Sequence, residues 1–449
     1  MDKDKEILNK YLFALRSIPE DYDPLLEAIG DASVVLLGEA SHGTHEFYQK
    51  RAEITKRLIQ EKGFTLVAIE GDWPDTYRVN RYVQDLNGDS LGIQALSDFK
   101  RFPAWMWRNV DILNFITWLR EYNQSLPSTA LGSKVGFSKV GFYGLDVYSL
   151  HSSMKEVISY LEKVDPSAAA QARQRYSCFD VVSNDPQTYG YLTSLYPNSS
   201  CKHQVIAQLL DLKSHEYEYT KGQPILAEEF FYAEQNARVA ANAEHYYRSL
   251  FESDISSWNI RDIHMMQTLE AIMAHALKKQ QQPKVIVWAH NSHLGDARST
   301  QMANQGELNL GQLVREHYGS ASFSLGFSTY TGTVSAASYW GGPVERKHVR
   351  HALKESYETF FHETEIPQFL LIFKDHKEVA DILNKKRLQR AIGVIYHPHT
   401  ERQSHYFYTI VPQQFDAIIH IDETRAVEPI DITSLWQEGE FPETYPSGY

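Results

Sequence analysis

The stretch "VVLLGEASHGTHEF", Val34 to Phe47, ends an apolar run at Gly38 and then sets Glu39, His42 and His45 within a few residues of one another. A structural turn calls for Gly, Asn or Asp and has no need of a glutamate and two imidazoles. Other apolar runs end in the same way. "FTLVAIEGDWPD" (Phe64 to Asp75) ends in Glu70 and Asp72, and "KVGFYGLDVYS" (Lys139 to Ser149) in Asp146. "KVIVWAHNSHLGD" (Lys284 to Asp296) ends in His290 and His293. A histidine takes a proton from water near neutral pH because its pKa lies close by. A carboxylate on its other ring nitrogen holds the ring and stabilises the imidazolium that forms. A second histidine pair, or an arginine, can polarise a carbonyl oxygen. These parts make a hydrolase that needs no covalent intermediate. Alone, Asp72 or Asp296 reads as a helix cap or turn former. Recurrence at four strand ends favours acid–base work.

Other chemistries lack their motifs. There is no GxSxG elbow, no HExxH, no Cys/His finger spacing, no P-loop and no GxGxxG after the first apolar run. A metal site built from the same imidazoles and carboxylates stays open, with Zn, Mn or Fe as suitable ions. No cofactor is otherwise expected. The net charge of −13 argues against a general nucleic-acid or anionic-membrane binder. The N-terminus carries acids throughout and has no long apolar segment, and no run approaches a transmembrane span. A soluble, cytoplasmic protein is expected. Two cysteines, Cys178 and Cys201, could form one bridge, but reduced thiols are the better expectation in that compartment.

The elements that must position these groups follow from the same runs, joined by "FSLGFSTYTG" (Phe323 to Gly332) and "FDAIIHIDET" (Phe415 to Thr424). Continuous apolar runs suit strands covered on both faces, as in parallel sheets. Helical spacing lies between them, from Thr44 onward with Thr44 or Ser41 as cap, and over Val110 to Asn123. The expected fold is therefore α/β, a mostly parallel central sheet flanked by helices. At 449 residues the chain exceeds one ordinary core. Residues 1–149 read as the first half of the α/β core and 150–280 as a helical insertion, with long helices over Leu226 to Phe251 and Ile260 to Lys279. The second half of the core is expected over 281–341. Residues 342–398 read as a small α+β module, with a helix near Arg350 to Phe361 and strands at "QFLLIF" and "RAIGVIY". Residues 399–449 are expected to return to the core, and "TALGSKVGFSK" (Thr129 to Lys139) to form a surface loop. In open α/β sheets ligands bind beyond the carboxyl ends of the strands, where the titratable residues collect.

"GEASHGTHEFYQKRAEITKRLI", "VAIEGDWPD" with "RVNRYV", "FPAWMWRN", "GLDVYS", "WNIRDIHMM" and "WAHNSHLGD" together resemble the erythromycin esterase family, which includes homologues labelled as succinoglycan biosynthesis proteins. The resemblance runs from Gly38 to about Tyr339. It implies an α/β core with a helical insertion and a further small domain, and hydrolysis of a carboxylic ester, with macrolide lactones as the substrate of the named members. It places the general base on His42 and further active-site positions on Glu39, Arg51, Glu70, His290 and His293. Arg261, in the "RD" motif, is a weaker candidate, grouped with Asp146 and Trp107 as substrate-binding. Trp107 serves a core and a pocket reading equally. His45 falls in the first turn of a helix, where its protonated form is disfavoured, and stays outside the catalytic set.

The leading expectation is a hydrolase of a small-molecule ester or lactone. His42 activates water, Glu70 or Glu39 orients that base, and His290 with His293 stabilises the oxyanion. A metallohydrolase and a polysaccharide-associated esterase or binding protein are the alternatives.

Overall fold

The computed structural model describes residues 3–127, 139–182, 185–251, 254–279 and 282–439. Its strands are β1 (Phe13–Ala14), β2 (Val34–Leu37), β3 (Leu66–Asp72), β4 (Gly141–Asp146), β5 (Val285–Trp288), β6 (Ser322–Ala336), β7 (Glu345–Val349), β8 (Gln368–Ile372), β9 (Arg387–Arg390), β10 (Tyr406–Thr409) and β11 (Ala417–Thr424). Nine of them form one sheet, in the order β1-β8-β11-β6-β2-β5-β3-β4, with β7 paired to β6. The six strands from β11 to β4 run parallel.

The apolar runs form strands because both sheet faces are covered. Side chains alternate across a strand. In β2, Val35 and Leu37 pack with Phe47, Ile54 and Leu58 of the His45–Lys62 helix on one face. Val34 and Leu36 pack with Met265, Leu269 and Ile272 of the Asp254–Leu277 helix on the other. Thr44 is the N-cap residue of the His45–Lys62 helix, but its hydroxyl pairs with Ser41 and not with the helix backbone. That helix ends at Gly63, whose φ of 71° suits a residue without a Cβ.

Between β4 and β5 the described residues form helices and no strand, among them Leu150–Val164, Pro224–Ser249 and Asp254–Leu277. They carry a hydrophobic cluster of their own. Cys178 and Cys201 lie there and are joined by a disulfide, against the expectation of reduced thiols. Helix packing brings their Cα atoms to 5.9 Å, within the span of a bridge. Among the described residues no helix is long and apolar enough to cross a membrane.

Residues 342–398 do not build a sheet of their own. β7 extends a hairpin from β6. β8 enters the main sheet antiparallel to both β11 and β1. β9 pairs with β10 in a separate two-stranded sheet. The strand expected at "RAIGVIY" shares only Arg390 with β9; the residues after it run across the loop that follows β2, where Ile392 N–H donates to Ala40 O and His42 N–H to Ile392 O. The helix expected near Arg350 is shorter, Tyr357–His362, with Ser356 as its cap. Of the loop expected at Thr129 to Lys139, residues 129–138 lie outside the described residues.

Candidate active site

β2, β5, β3 and β4 are adjacent and parallel, so their carboxyl ends share one edge of the sheet. β2 leads into a loop held tightly against its neighbours. A Cβ on Gly38 would fall 2.1 Å from Asn291 Oδ1, and one on Gly43 1.9 Å from Ser335 O. The glycines let this loop press close enough to place Glu39 and His42. Glu39 is wholly buried. Its Oε1 lies 2.9 Å from His42 Nδ1, and its Oε2 accepts from Arg51 Nη2 at 2.5 Å. Arg51 projects from the His45–Lys62 helix and is also fully buried, its guanidinium 4.5 Å from the Tyr48 ring centroid and 5.0 Å from that of Trp288. The arginine pins Glu39, and Glu39 pins the ring of His42. With Nδ1 so occupied, His42 Nε2 faces Glu70 Oε1 at 4.0 Å.

Glu70, near the end of β3, connects the rest. Its Oε2 accepts the backbone N–H of His290 at 2.9 Å, and its Oε1 accepts from Arg261 Nη2 at 2.6 Å. Arg261 comes from the Asp254–Leu277 helix and also grips both oxygens of Asp146, at 3.0 and 2.8 Å. Burial alone would raise the Glu70 carboxyl, but His293, Arg261, His42 and the His290 amide together hold it well below the usual carboxylate range. Burial likewise opposes the charge on Asp146, and Arg261 outweighs it.

The two histidines after β5 are held differently. The Ser292 amide donates to His290 Nδ1 at 3.2 Å, and the Ser292 hydroxyl lies 2.8 Å from the same nitrogen. Nδ1 is thus an acceptor, and the proton of the neutral ring sits on Nε2. That nitrogen is buried without a hydrogen-bond partner. Burial, and His42 beside it, push the His290 pKa well below its ordinary value, against Glu70 and the Ala40 carbonyl. The rings of His42 and His290 are 4.8 Å apart. His293 Nδ1 instead meets both oxygens of Asp262, at 3.0 and 2.9 Å. Its ring stacks on Trp258 at 4.5 Å, and its Nε2 lies 3.0 Å from Arg261 Nη1 and 3.4 Å from Glu70 Oε1. Burial would lower the His293 pKa, but Asp262 and Glu70 prevail over it and over Arg261, and the pKa is raised.

A cavity of about 540 Å³ opens on these groups. His42, Glu70, Asp146, Arg261, His290, His293 and Trp107 line it; Glu39 and Arg51 stand behind His42. The nine candidate residues therefore form one connected assembly. Trp107 belongs to the apolar core and the cavity wall together, its Nε1 donating to Glu70 O at 2.9 Å. His45 lies apart, paired with Asp111 at 2.8 Å, which raises its pKa. Sequence reasoning missed Asp262, although it sits in the "RD" pair beside Arg261, because a lone Asp on a helix carries no signal of what it faces. It also missed Tyr148, whose ring meets two guanidinium groups, Arg101 at 4.7 Å and Arg261 at 4.8 Å. Among the described residues no group of three or more His, Cys, Asp or Glu side chains is set to hold a metal ion.

The chain is 24% identical to the erythromycin esterase type II of Escherichia coli over 336 residues, 71% of this chain and 74% of that protein. Its fold is similar to the crystal structure of a succinoglycan biosynthesis protein (TM-score 0.74, 23% identity, 95% of this chain and 97% of that one). It is similar also to the erythromycin esterase EreC, solved as a mutant in its open conformation (TM-score 0.62, 14% identity, 92% and 96%). The family model described as erythromycin esterase matches residues 59–424. That span contains Glu70, Asp146, Arg261, His290 and His293 and begins after Glu39, His42 and Arg51. With most of its length matched, the chain belongs to the erythromycin esterase family, and a hydrolase is the activity that membership suggests.

Proposed function

We propose that the protein hydrolyses a carboxylic ester or lactone by direct attack of water, with no covalent intermediate. One observation carries this reading. His42 Nε2 is left over once Glu39 has taken Nδ1, and His290 Nε2 makes no hydrogen bond of ordinary geometry, only a weaker approach to the Ala40 carbonyl; their rings lie 4.8 Å apart on the wall of one cavity. The first is a base and the second an electrophile. A water bonded to His42 Nε2 gives its proton to that nitrogen as its oxygen adds to the carbonyl carbon. The oxyanion that forms faces His290 Nε2–H, and collapse of the adduct breaks the C–O bond to the alcohol. Glu39, pinned by Arg51, steadies the imidazolium. A positioned base contributes roughly 10²–10⁴ in rate, and one oxyanion donor roughly 10²–10³.

The cavity is of the size that takes a small molecule. Its walls include Trp107, Tyr148, Trp258 and Trp340, which suit an apolar ring or chain. A macrolide lactone is the substrate class that the relatives' names point to. The test is mass spectrometry of a macrolide panel after incubation with the wild type and with His42→Ala. Gain of one water by the lactone with wild type alone supports a macrolide esterase. Cleavage of an aryl ester alone, lost in His42→Ala, keeps the chemistry and moves the substrate to other esters. Failure to cleave any ester overturns the reading.

A further inference from the structure

The reaction above leaves one requirement unmet: the departing alkoxide needs a proton. We infer that His293 is the general acid that supplies it, with Asp262 the positioning residue that aims and charges the ring; this rests on the hydrolase reading above.

Two imidazole–carboxylate pairs meet at one oxygen. His42 Nε2 lies 4.0 Å and His293 Nε2 3.4 Å from Glu70 Oε1. Each ring has a carboxylate on its far nitrogen, Glu39 for His42 and Asp262 for His293. The surroundings differ in charge. Glu39 is answered by Arg51. Around His293 four buried carboxylates face two guanidinium groups: Glu70 on β3, Asp146 on β4 and Asp262 stand about Arg261 of the Asp254–Leu277 helix, and Asp72 pairs with Arg101, which also acts on Asp146. His42 and His290, from the loops after β2 and β5, and the Tyr148 phenol over Arg261 are the other titratable groups there. A further cation restores much of the balance, and His293 is placed to be that cation. Of these groups Asp262 and Glu70 raise its pKa, against burial and Arg261.

Both protonation states of His293 find a partner. Protonated, Nε2–H points to Glu70 Oε1. After the proton has gone to the alkoxide, the bare Nε2 accepts from Arg261 Nη1, 3.0 Å away. In full, water loses a proton to His42, the carbonyl carbon gains the hydroxide, the C–O bond to the alcohol breaks, and the alkoxide takes the His293 proton. The two rings then differ by one proton, and both face Glu70 Oε1, across which it returns. His290 has no such exchange, because its Nδ1 is filled by Ser292.

The test compares two esters with one acyl chain, an alkyl ester, whose leaving group needs a proton, and a 4-nitrophenyl ester, whose leaving group does not. Asp262→Asn keeps an oxygen for the Leu310 amide, which Asp262 Oδ1 accepts at 2.7 Å, and removes the charge. Its kcat on the alkyl ester should fall by about 10²–10⁴, and on the nitrophenyl ester by a far smaller factor. Without the Asp262 anion the imidazolium is less favoured, so the alkaline limb of the alkyl-ester profile should move to lower pH. His293→Gln, which leaves Asp262 and its bond to Leu310 in place, should show the same split between esters. Equal loss on both esters in the two variants, or an alkaline limb that does not move in Asp262→Asn, overturns the inference. A wild type that cleaves neither ester sinks instead the hydrolase reading on which it rests.

Discussion

Ser328, His420 and Asp422 look more like a hydrolase triad than anything in the cavity. Ser328 Oγ lies 2.8 Å from His420 Nδ1, and His420 Nε2 lies 2.9 Å from Asp422 Oδ1. Yet His420 is fully buried among the rings of Phe361 and Phe369, and none of the three lines the cavity. Both of its nitrogens are taken by protein. Around the cavity the same residue types are bonded less completely: His42 has one nitrogen on Glu39, and His290 keeps a buried Nε2 without a partner. A saturated hydrogen-bond network supports a fold, while a pair with an unfilled valence on a cavity wall can work on a substrate. The two regions differ in what is left unpaired.

The comparison can be broken by substitution. The largest effect should come from His42→Ala, which removes the base; kcat on an ester should fall by about 10³ or more, with thermal melting close to wild type. Wild-type turnover in that variant would end the distinction between the regions. His290→Ala should follow, with a loss of about 10²–10³ in kcat, an oxyanion donor being removed while the His42–Glu39 pair stays. His420→Ala should do the reverse. It strands the buried Ser328 hydroxyl, at about 1–3 kcal/mol read from urea unfolding, and leaves turnover per folded molecule as it was. Lost turnover in folded His420→Ala protein would show that the saturated cluster also takes part.

The smallest effect sharpens the contrast through pH. Burial lowers the His420 pKa in the folded protein, against the pull of Asp422, so below about pH 6.5 the unfolded chain binds the proton that the folded one refuses. Stability then falls as pH falls. His264, pushed down by burial to about 4, acts in the same direction between about 6.5 and 4. A His420→Gln variant should lose stability less steeply than wild type between pH 7 and 5. An unchanged slope would mean that this imidazole titrates alike in both states.

Much of the sheet was legible because its strands are covered on both faces. Val34–Leu37, Leu66–Asp72 and Val285–Trp288 are buried throughout, and the four-residue apolar run that each carries has few other uses. In residues 342–398 only the strand at "QFLLIF" was legible; β7 was not expected, the strand at "RAIGVIY" shares one residue with β9, and the helix begins seven residues later than expected. β7, β8 and β9 each find a partner in a different place, and no local pattern names a partner. The disulfide was missed for the same reason: 23 residues separate Cys178 and Cys201, and only helix packing sets their Cα atoms 5.9 Å apart.

By itself the sequence determined which strand ends carry imidazoles and carboxylates, since apolar period and breakpoints are local properties of the chain. That put Glu39, His42, Glu70, Asp146, His290 and His293 at one edge of a sheet. Tertiary structure decided which atom of each is free. Arg261 reaches Glu70 across 191 positions of sequence, and Asp262 reaches His293 across 31. Only the docking of the Asp254–Leu277 helix on the sheet sets these contacts. A hydrogen bond acts over about 3 Å of space, whatever the distance along the chain, so the protonation of these rings belongs to the packing.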